Sequence, residues 1–337
     1  MLVSVIVPTR NRPASFRETL EGIKHQLLCN IELIVIDDGS SEENSNLNKA
    51  HISDIFFDDC NYIYLPISNS QGNGPSHTRN LGINSAKGQL IAFCDDDDYW
   101  SEPEYLKTAI DSFSKDATLD IFFSNQKSLK NGELFREIWQ PHLLNNINSR
   151  LTNDGEVITV SKAECLCAPG DFAHMNICVF RKSLLNDISG FWEAIRYAED
   201  MDLFVRAVDA AKNIVYFNKT VSTMNVPDKS KKTSASTVLD LDQKAITLIH
   251  IGNHLINSCN TASSIKYGTK LAGDQYRRLS KQAATYSYEV AFIWGIQYLA
   301  KNPTLRWSLY MIYISSRSFL SKTKRWISNS EILRISK

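Results

Sequence analysis

The chain has 337 residues, 43% of them hydrophobic, which suits one large domain with an appendage, or two domains. Lys and Arg number 37, as do Asp and Glu, and this zero net charge gives no reason to expect nucleic acid as a partner. Seven cysteines without a CxxC pair favour free thiols in a reducing cytosol over a zinc site. The N-terminus does not resemble a signal peptide, and no apolar run is long enough to cross a bilayer.

Residues 1–61 predict a strand, a helix, a second strand and a polar loop. Residues 2–7 are β-rich and nearly all apolar, which indicates a buried strand that Pro8 ends. Residues 31–36 predict a second buried strand, and residues 41–61 a polar loop with a short irregular helix. Pro13 is expected to open a helix whose apolar face is formed by Phe16, Leu20, Ile23 and Leu27.

The next segment predicts two strands, at residues 62–65 and 89–94, with a helix between them over residues 77–87. Ser76 is the expected N-cap of that helix, and Gly88 is expected to end it. The strand at residues 89–94 leads directly into four consecutive aspartates.

Further along the chain the elements are predicted from shorter patterns. Helices are expected at residues 104–114, at 183–188 and from 199 onward, and strands at 120–124, 177–180, 215–217 and 221–224, the last two as edge strands. Residues 227–236 contain Lys229, Lys231 and Lys232 and predict a mobile polar loop. Beyond about residue 238 the pattern is helical, and residues 306–337 carry seven Lys or Arg against one acid, Glu331.

This alternation of strands and helices predicts a doubly wound α/β sheet with helices on both faces. Ligands of such sheets bind beyond the carboxyl ends of the strands, so polar clusters at those ends are expected to meet on one rim. The clusters are Pro8–Asn11, Asp37–Asp38 and Asp95–Asp98.

The run Asp95–Asp98 is the strongest functional signal. Adjacent carboxylates repel one another, and a divalent cation such as Mg²⁺ or Mn²⁺, held together with substrate phosphates, would offset that repulsion. The alternative is a solvated acidic loop or a helix start, which suits Asp98 because a helix follows. The run alone leaves these interpretations even.

Other candidate residues also have ordinary alternatives. Asp38 can accept hydrogen bonds from a ribose or base, or can form a turn with Gly39. Arg79 can face a diphosphate, or can be a surface arginine. Asp200, or its neighbour Glu199, can act as a general base kept ionised by a helix N-terminus, or can cap that helix. His174 is interpreted as a core histidine rather than a site residue.

Five segments resemble, in order, motifs of the inverting family-2 glycosyltransferases of the GT-A fold, of the type that builds bacterial surface polysaccharides. The resemblance covers roughly residues 1–225, and five motifs in the usual order are highly specific. The segments are Val3–Arg12 (VSVIVPTRNR), Glu32–Ser40 (ELIVIDDGS), Thr78–Ile83 (TRNLGI), Ala92–Asp98 (AFCDDDD) and Glu199–Leu203 (EDMDL).

The resemblance implies a GT-A type, doubly wound mixed sheet flanked by helices, and the helical pattern beyond about residue 238 predicts a helical C-terminal extension. It implies a catalytic domain over residues 1–227, with nucleotide-sugar binding in 1–125 and the acceptor and catalytic part in 126–227. Residues 228–337 would form the helical C-terminal region, basic and aromatic at its end.

The resemblance also implies roles for the site residues. Asp97 would hold Mn²⁺ or Mg²⁺, and Asp200 would be the catalytic base, with Glu199 as the fallback. The donor would be bound by Pro8, Arg10, Asp38, Arg79, Asp95 and Asp96, with Asp38 on the base of the nucleotide. The family often has an aromatic residue at the position of Arg10, and an arginine can also stack on a base.

The expected reaction transfers a hexose or N-acetylhexosamine, with inversion, from a nucleoside-diphosphate sugar, preferably a UDP-sugar. The acceptor would be a saccharide, lipid-linked by family precedent, in O-antigen or capsule synthesis. The expected location is the cytoplasm, at the inner face of the cell membrane. The C-terminal region either contacts an anionic membrane or packs on the catalytic domain.

Two other classes of function remain as alternatives. One is a non-catalytic protein that binds a sugar nucleotide or saccharide and needs no base at Asp200. The other, less favoured, is a nucleotidyltransferase, which is expected to carry a glycine-rich basic phosphate loop that the sequence lacks near its first strand.

Overall fold

The computed structural model describes residues 1–27, 30–56, 60–66, 72–226 and 235–335, without the side chains of 235, 236, 321, 322 and 324–335. Residues 227–234, the main part of the predicted polar loop, lie outside the described residues. The described chain divides into two compact units. One comprises Met1–Val238 with Ser258–Ser264, and the other Leu239–Asn257 with Ile265–Lys337.

The strands all belong to the first unit. They are β1 Val3–Thr9, β2 Ile31–Asp37, β3 Asn61–Tyr64, β4 Leu90–Phe93, β5 Tyr99–Trp100, β6 Leu119–Lys130, β7 Glu133–Arg136, β8 Val157–Thr159, β9 Cys178–Arg181 and β10 Asn213–Asn225. The helices are α1 Pro13–Lys24, α2 Glu42–Phe56, α3 Pro75–Ser85, α4 Tyr105–Lys115, α5 Pro141–Ile147, α6 Lys162–Cys165, α7 Lys182–Asp187, α8 Glu199–Ala210, α9 Ala235–Val238, α10 Leu241–Ser258, α11 Ala262–Ala283, α12 Tyr288–Lys301 and α13 Leu305–Ile335.

The strands form one mixed sheet in the order β3-β2-β1-β4-β9-β6-β10-β5, with β7 beside β6 and β8 beside β10. The first four strands are parallel, as a βαβ pattern requires. The strand β9 pairs antiparallel with both β4 and β6, which makes the sheet mixed. The predicted mixed α/β sheet flanked by helices is therefore confirmed.

The core of this unit lies around the central strands. The side chains of Val5, Ile6 and Val7 in β1 are completely buried because the strand is covered on both faces. One face of α1 buries Phe16 and Leu20 in the same way. This core holds the carboxyl ends of β1, β2 and β4 in place at one edge of the sheet.

The structure corrects several predicted boundaries. The strand β1 continues through Pro8 to Thr9, so the proline does not end it. The segment expected as a polar loop with a short irregular helix forms α2, a regular helix of fifteen residues. The helix α1 ends at Lys24, and Leu27 is exposed beyond it rather than buried on its face.

Two further predictions were wrong in detail. The helix α3 starts at Pro75 after Gly74 and ends at Ser85, so Ser76 lies inside its first turn and is not its cap. The two predicted edge strands are one continuous strand, β10, which pairs with β6, β5 and β8. Irregular register shifts between Tyr216 and Ser222 explain why its sequence reads as two pieces.

The second unit is helical, as the sequence predicts for this region. Its helices pack through small apolar clusters, one of which joins Ala283, Ala291 and Ile314. The indole N–H of Trp307 donates to the Gly295 carbonyl at 2.9 Å and ties α13 to α12. Among the described residues, no helix is long and apolar enough to cross a membrane.

Candidate active site

The four aspartates lie where β4 ends, next to the carboxyl end of β1 and the first turn of α8. The hydroxyl of Thr9 donates to Asp96 Oδ2 at 2.9 Å, which joins the end of β1 to the aspartate run. A buried arginine joins the same run to α8. Segments far apart in sequence therefore meet on one rim, as the fold predicts.

That arginine is Arg79, on α3. Its guanidinium donates to Asp95 Oδ1 at 2.6 Å and to Glu199 Oε1 at 2.8 Å, and it packs over the Phe191 ring. Burial opposes ionisation of Asp95, but the charge of Arg79 prevails and lowers the pKa of this carboxyl. The structure thus gives Arg79 two carboxylate partners, and its predicted role in binding the nucleotide stays a prediction.

Asp200 follows Glu199 in the first turn of α8. One carboxylate oxygen accepts from the backbone N–H of Met201 at 2.8 Å, and the other lies 3.6 Å from His174 Nε2. Burial raises the pKa of Asp200 to about 6, although the charge of Arg79 and the hydrogen bond from the Met201 N–H oppose the shift. The expectation that the helix N-terminus would lower this pKa was wrong, because desolvation outweighs it.

His174, which the sequence favours as a core histidine over a site residue, lies beside two of the candidate carboxylates. Its Nε2 lies between Asp200 and Asp95, 3.6 Å from one carboxylate and 3.9 Å from the other. Its Nδ1 accepts from the backbone N–H of Asn176 at 3.4 Å, which leaves Nε2 as the protonated nitrogen of the neutral ring. Burial lowers the pKa of His174, so the ring is neutral near pH 7. The polar residues His174 and Asn176, just before buried β9, were the available sequence signal.

Arg12 is a second cation that the sequence analysis gave no role. One of its guanidinium nitrogens donates to Asp96 Oδ1 at 3.0 Å and to Asp97 Oδ2 at 2.7 Å. Asp97 has the more exposed side chain of these two aspartates, at 30%. Burial and repulsion from Asp96 raise the pKa of Asp97 to about 7, against the opposing charge of Arg12.

Asp98 is buried and is not a helix-start residue, because α4 begins at Tyr105. Its carboxylate accepts from the backbone N–H of Asn225 at 2.8 Å and from the side-chain amide of Asn176. It therefore fastens the end of β10 and the segment before β9 to the aspartate run. The predicted helix start was the wrong explanation for this fourth aspartate.

The remaining donor candidates line the other side of the rim. Asp38 accepts from the backbone N–H groups of Asn73 and Gly74, at 2.9 and 3.0 Å. Gly72 has φ +71°, and a Cβ built on it would lie 2.4 Å from Asp38 Oδ2 and 2.6 Å from Arg10 Nη1. The Arg10 guanidinium and the Asp38 carboxylate thus enclose a position that only glycine fills. Pro8 lies in β1 just before this cluster.

The aspartate run and its neighbour His174 offer atoms of the kind that bind a divalent cation. Asp95, Asp98 and His174 offer ligand atoms within 4.8 Å of one another, and carboxylate oxygen with imidazole nitrogen suits Mn²⁺. The set of three does not include Asp97. The pKa of Asp97, raised by burial and by like charges, marks it as a carboxyl that a nearby cation would favour in its ionised form.

Comparison with known proteins agrees with this geometry. Residues 4–168 match the family model described as "Glycosyl transferase family 2". This chain belongs to glycosyltransferase family 2. The match contains β1, β2 and the aspartate run, and it ends before His174 and α8.

Two similar proteins have names that state a glucosyltransferase reaction. The chain is 30% identical over 187 residues to the GalNAc(5)-diNAcBac-PP-undecaprenol beta-1,3-glucosyltransferase of Campylobacter jejuni, covering 55% of this chain and 53% of that protein. It is 35% identical over 100 residues to the UDP-Glc:alpha-D-GlcNAc-diphosphoundecaprenol beta-1,3-glucosyltransferase WfaP of Escherichia coli, covering 29% and 36%. The chain thus spans about half and about a third of these two family members.

Solved structures show that the family's GT-A fold is present. Staphylococcus aureus TarS 1-349 in complex with UDP is similar with a TM-score of 0.62 and 18% identity, over 94% of this chain and 88% of that chain. The mannosyltransferase PcManGT from Pyrobaculum calidifontis, in complex with GDP-Man and Mn²⁺, has a TM-score of 0.56 and 17% identity, over 95% and 87%. At these identities the likeness establishes the fold alone.

Proposed function

We propose that this glycosyltransferase transfers a hexose or N-acetylhexosamine, with inversion, from a UDP-sugar to a lipid-linked saccharide in surface polysaccharide synthesis. The position of Asp200 relative to the aspartate run supports this proposal. This half-buried carboxylate lies near the donor-side aspartates, with His174 Nε2 3.6 Å from it and 3.9 Å from Asp95. Family membership favours this function over a non-catalytic binding protein and over a nucleotidyltransferase.

Asp200 is suited to act as a general base. Burial raises its pKa, so it is more basic than an ordinary carboxylate, while the nearby charge of Arg79 favours its ionised form. Glu199 is a poorer candidate because its carboxylate is paired with Arg79 at 2.8 Å and is buried. We therefore assign the base to Asp200 and a positioning role to Glu199.

The donor would lie along the rim from Asp38 to the aspartate run. Pro8, Arg10 and Asp38 would hold the nucleoside, and Arg10 can stack on the base with its planar guanidinium. Asp95 and Asp96 would face the ribose and sugar. Arg79 would act on the nucleotide through Asp95, whose carboxylate it holds. The relative WfaP, named for UDP-glucose, and the TarS structure solved with UDP support a UDP-sugar as the preferred donor.

Asp97 would hold Mn²⁺ or Mg²⁺, with Asp95 as a nearby ligand group. When bound, the cation would neutralise charge on the diphosphate leaving group. Asp200 takes the proton from the acceptor hydroxyl, and that oxygen attacks the anomeric carbon from the face opposite the diphosphate. A single displacement inverts the configuration, so an α-linked donor gives a β-glycoside.

We propose the first unit, close to the predicted residues 1–227, as the catalytic domain. We further propose that the protein works in the cytoplasm at the inner membrane face, where donor and lipid-linked acceptor meet. Exposed apolar side chains on α13, which include Leu309, Ile312 and Phe319, support contact between this helix and lipid. Flotation with anionic vesicles tests that contact, and protein that stays unbound contradicts it.

A screen of sugar nucleotides tests the proposed reaction. The purified chain is incubated with UDP- and GDP-sugars and Mn²⁺, and release of the nucleoside diphosphate is measured with and without chelator. We expect slow hydrolysis of one UDP-sugar that chelator abolishes. Hydrolysis unaffected by chelator contradicts the metal role, and no hydrolysis of any donor contradicts the transferase proposal.

A further inference from the structure

The hairpin β6–β7 and the segment after it carry an exposed strip that leads away from the candidate base. At its inner end the Trp139 ring stands edge-on to His174, with ring centroids 5.8 Å apart. The same His174 lies 3.6 Å from Asp200. One imidazole ring therefore separates Trp139 from the carboxylate that would deprotonate the acceptor.

Trp139 is held rigidly at this position. Its backbone N–H donates to Asn125 Oδ1 at 2.8 Å, and its indole N–H donates to the Phe172 carbonyl at 3.0 Å. The side-chain amide of Asn125 also donates to the Glu137 carbonyl at 3.0 Å, which anchors the end of the hairpin to β6. A half-buried, pre-oriented aromatic ring beside a base is suited to stacking against a sugar ring, because ordering it costs little entropy.

A cation follows Trp139 along the strip. The Arg136 guanidinium lies 4.8 Å from the Trp139 ring centroid, and its Nε donates to the Ile138 carbonyl at 2.9 Å. Glu133 and Glu137 are exposed on the same hairpin, so its net charge is balanced. The position of Arg136 on the ring, rather than net charge, would suit a diphosphate next to a stacked sugar.

Apolar side chains come next. Leu134 and Phe135, in β7, are 59% and 62% exposed, and Lys130 lies over the Phe135 ring. The strip thus presents a base, an aromatic ring, a guanidinium and an exposed apolar pair in that order. A polyprenyl-diphosphate saccharide presents its complements in the same order: a terminal hydroxyl, a sugar ring, a diphosphate and an apolar chain.

We propose that Trp139, Arg136 and the β7 pair Leu134 and Phe135 form the binding site for the lipid-linked acceptor. Trp139 stacks on the acceptor sugar, Arg136 binds its diphosphate, and the apolar pair contacts the first part of its lipid. This inference rests on the proposed transfer to a lipid-linked saccharide, and it names the residues of this chain that bind that acceptor.

Binding measurements with two probes test the proposal. The probes are N-acetylglucosamine diphosphoundecaprenol in detergent, and N-acetylglucosaminyl diphosphate without lipid. Trp139→Ala is expected to weaken binding of both about tenfold or more, and Trp139→Phe to restore most of it. Leu134→Ser with Phe135→Ser is expected to weaken only the lipid-linked probe. Leu47→Ser, an exposed leucine on α2, is the matched control and should change neither affinity.

Donor hydrolysis separates this proposal from the proposed function. Hydrolysis should stay within about twofold of the parent chain in the Leu134→Ser and Phe135→Ser double variant and in Leu47→Ser, because these residues touch no donor group. Trp139 contacts His174, so its two variants are judged by their affinity for the probes alone. Unchanged affinity for both probes in Trp139→Ala overturns the proposal, as does equal weakening of both probes by the double variant. Parent chain that hydrolyses a donor but binds neither probe also overturns it, and leaves the transferase function intact.

Discussion

Replacing Arg79 with Met tests whether this arginine holds the two sides of the site together. Arg79 is 5% exposed, and its guanidinium donates charge-assisted hydrogen bonds of 2.6 and 2.8 Å to Asp95 and Glu199. Methionine has similar bulk and no charge, so it would leave two buried carboxylates without their cation. Breaking a buried pair in this way costs about 3–5 kcal/mol of stability.

The loss should depend on pH, and its sign follows from the two carboxyls. Because Arg79 lowers the pKa of Asp95, that contribution to stability is present above the unfolded-state pKa and is lost as the pH falls through the folded-state pKa. Without Arg79, burial raises the pKa of both carboxyls, so the variant gains relative stability as they are protonated. The difference between parent and variant should therefore shrink between about pH 7.5 and about pH 5.

Urea unfolding at both pH values measures this difference. Arg17→Met is the matched control, because Arg17 also faces two carboxylates, Glu21 and Asp54, but on the exposed surface. We expect no measurable change there. A loss below about 1 kcal/mol for Arg79→Met, or an equal loss at both pH values, would refute the assignment of Arg79 as the buried link.

Three further outcomes are expected. The pH profile of kcat/KM should rise through about pH 6 as Asp200 ionises, and a flat acidic limb would argue against this base. Arg12→Gln removes a cation from Asp97, so the pKa of Asp97 should rise further. Binding of Mn²⁺ near pH 7, followed by calorimetry, should then release more protons than in the parent chain. Unchanged proton release contradicts the pairing of Arg12 with Asp97. Gly72→Ala should weaken UDP binding, because its Cβ would displace Asp38, and unchanged affinity would separate this position from the donor site.

The sequence was sufficient to predict the sheet and the rim because both depend on local patterns. Apolar β-rich runs specify β1, β2 and β4, and the parallel order of such strands brings their polar ends together. The segment at β10 was read as two strands because Asn218, Lys219 and Thr220 interrupt its apolar pattern. Only pairing with neighbours on both sides shows that it is one strand.

The pairings inside the site could not be predicted, because they depend on distances between remote segments. Nothing local in sequence shows that Arg79 meets Glu199, 120 residues away, or that His174 lies between two carboxylates. Burial also reversed one expectation: desolvation of Asp200 is larger than the helix-end effect that the sequence suggested. Tertiary packing determines that balance.

Asp200→Asn tests most directly whether Asp200 is the base of an inverting transfer. The variant keeps the shape of the side chain and cannot accept the proton. Turnover of the donor identified by the screen should fall by about 10²–10⁴-fold, while the Kd for that donor stays within about twofold. Turnover that survives in Asp200→Asn but is lost in Glu199→Gln would contradict the assignment and move the base by one residue.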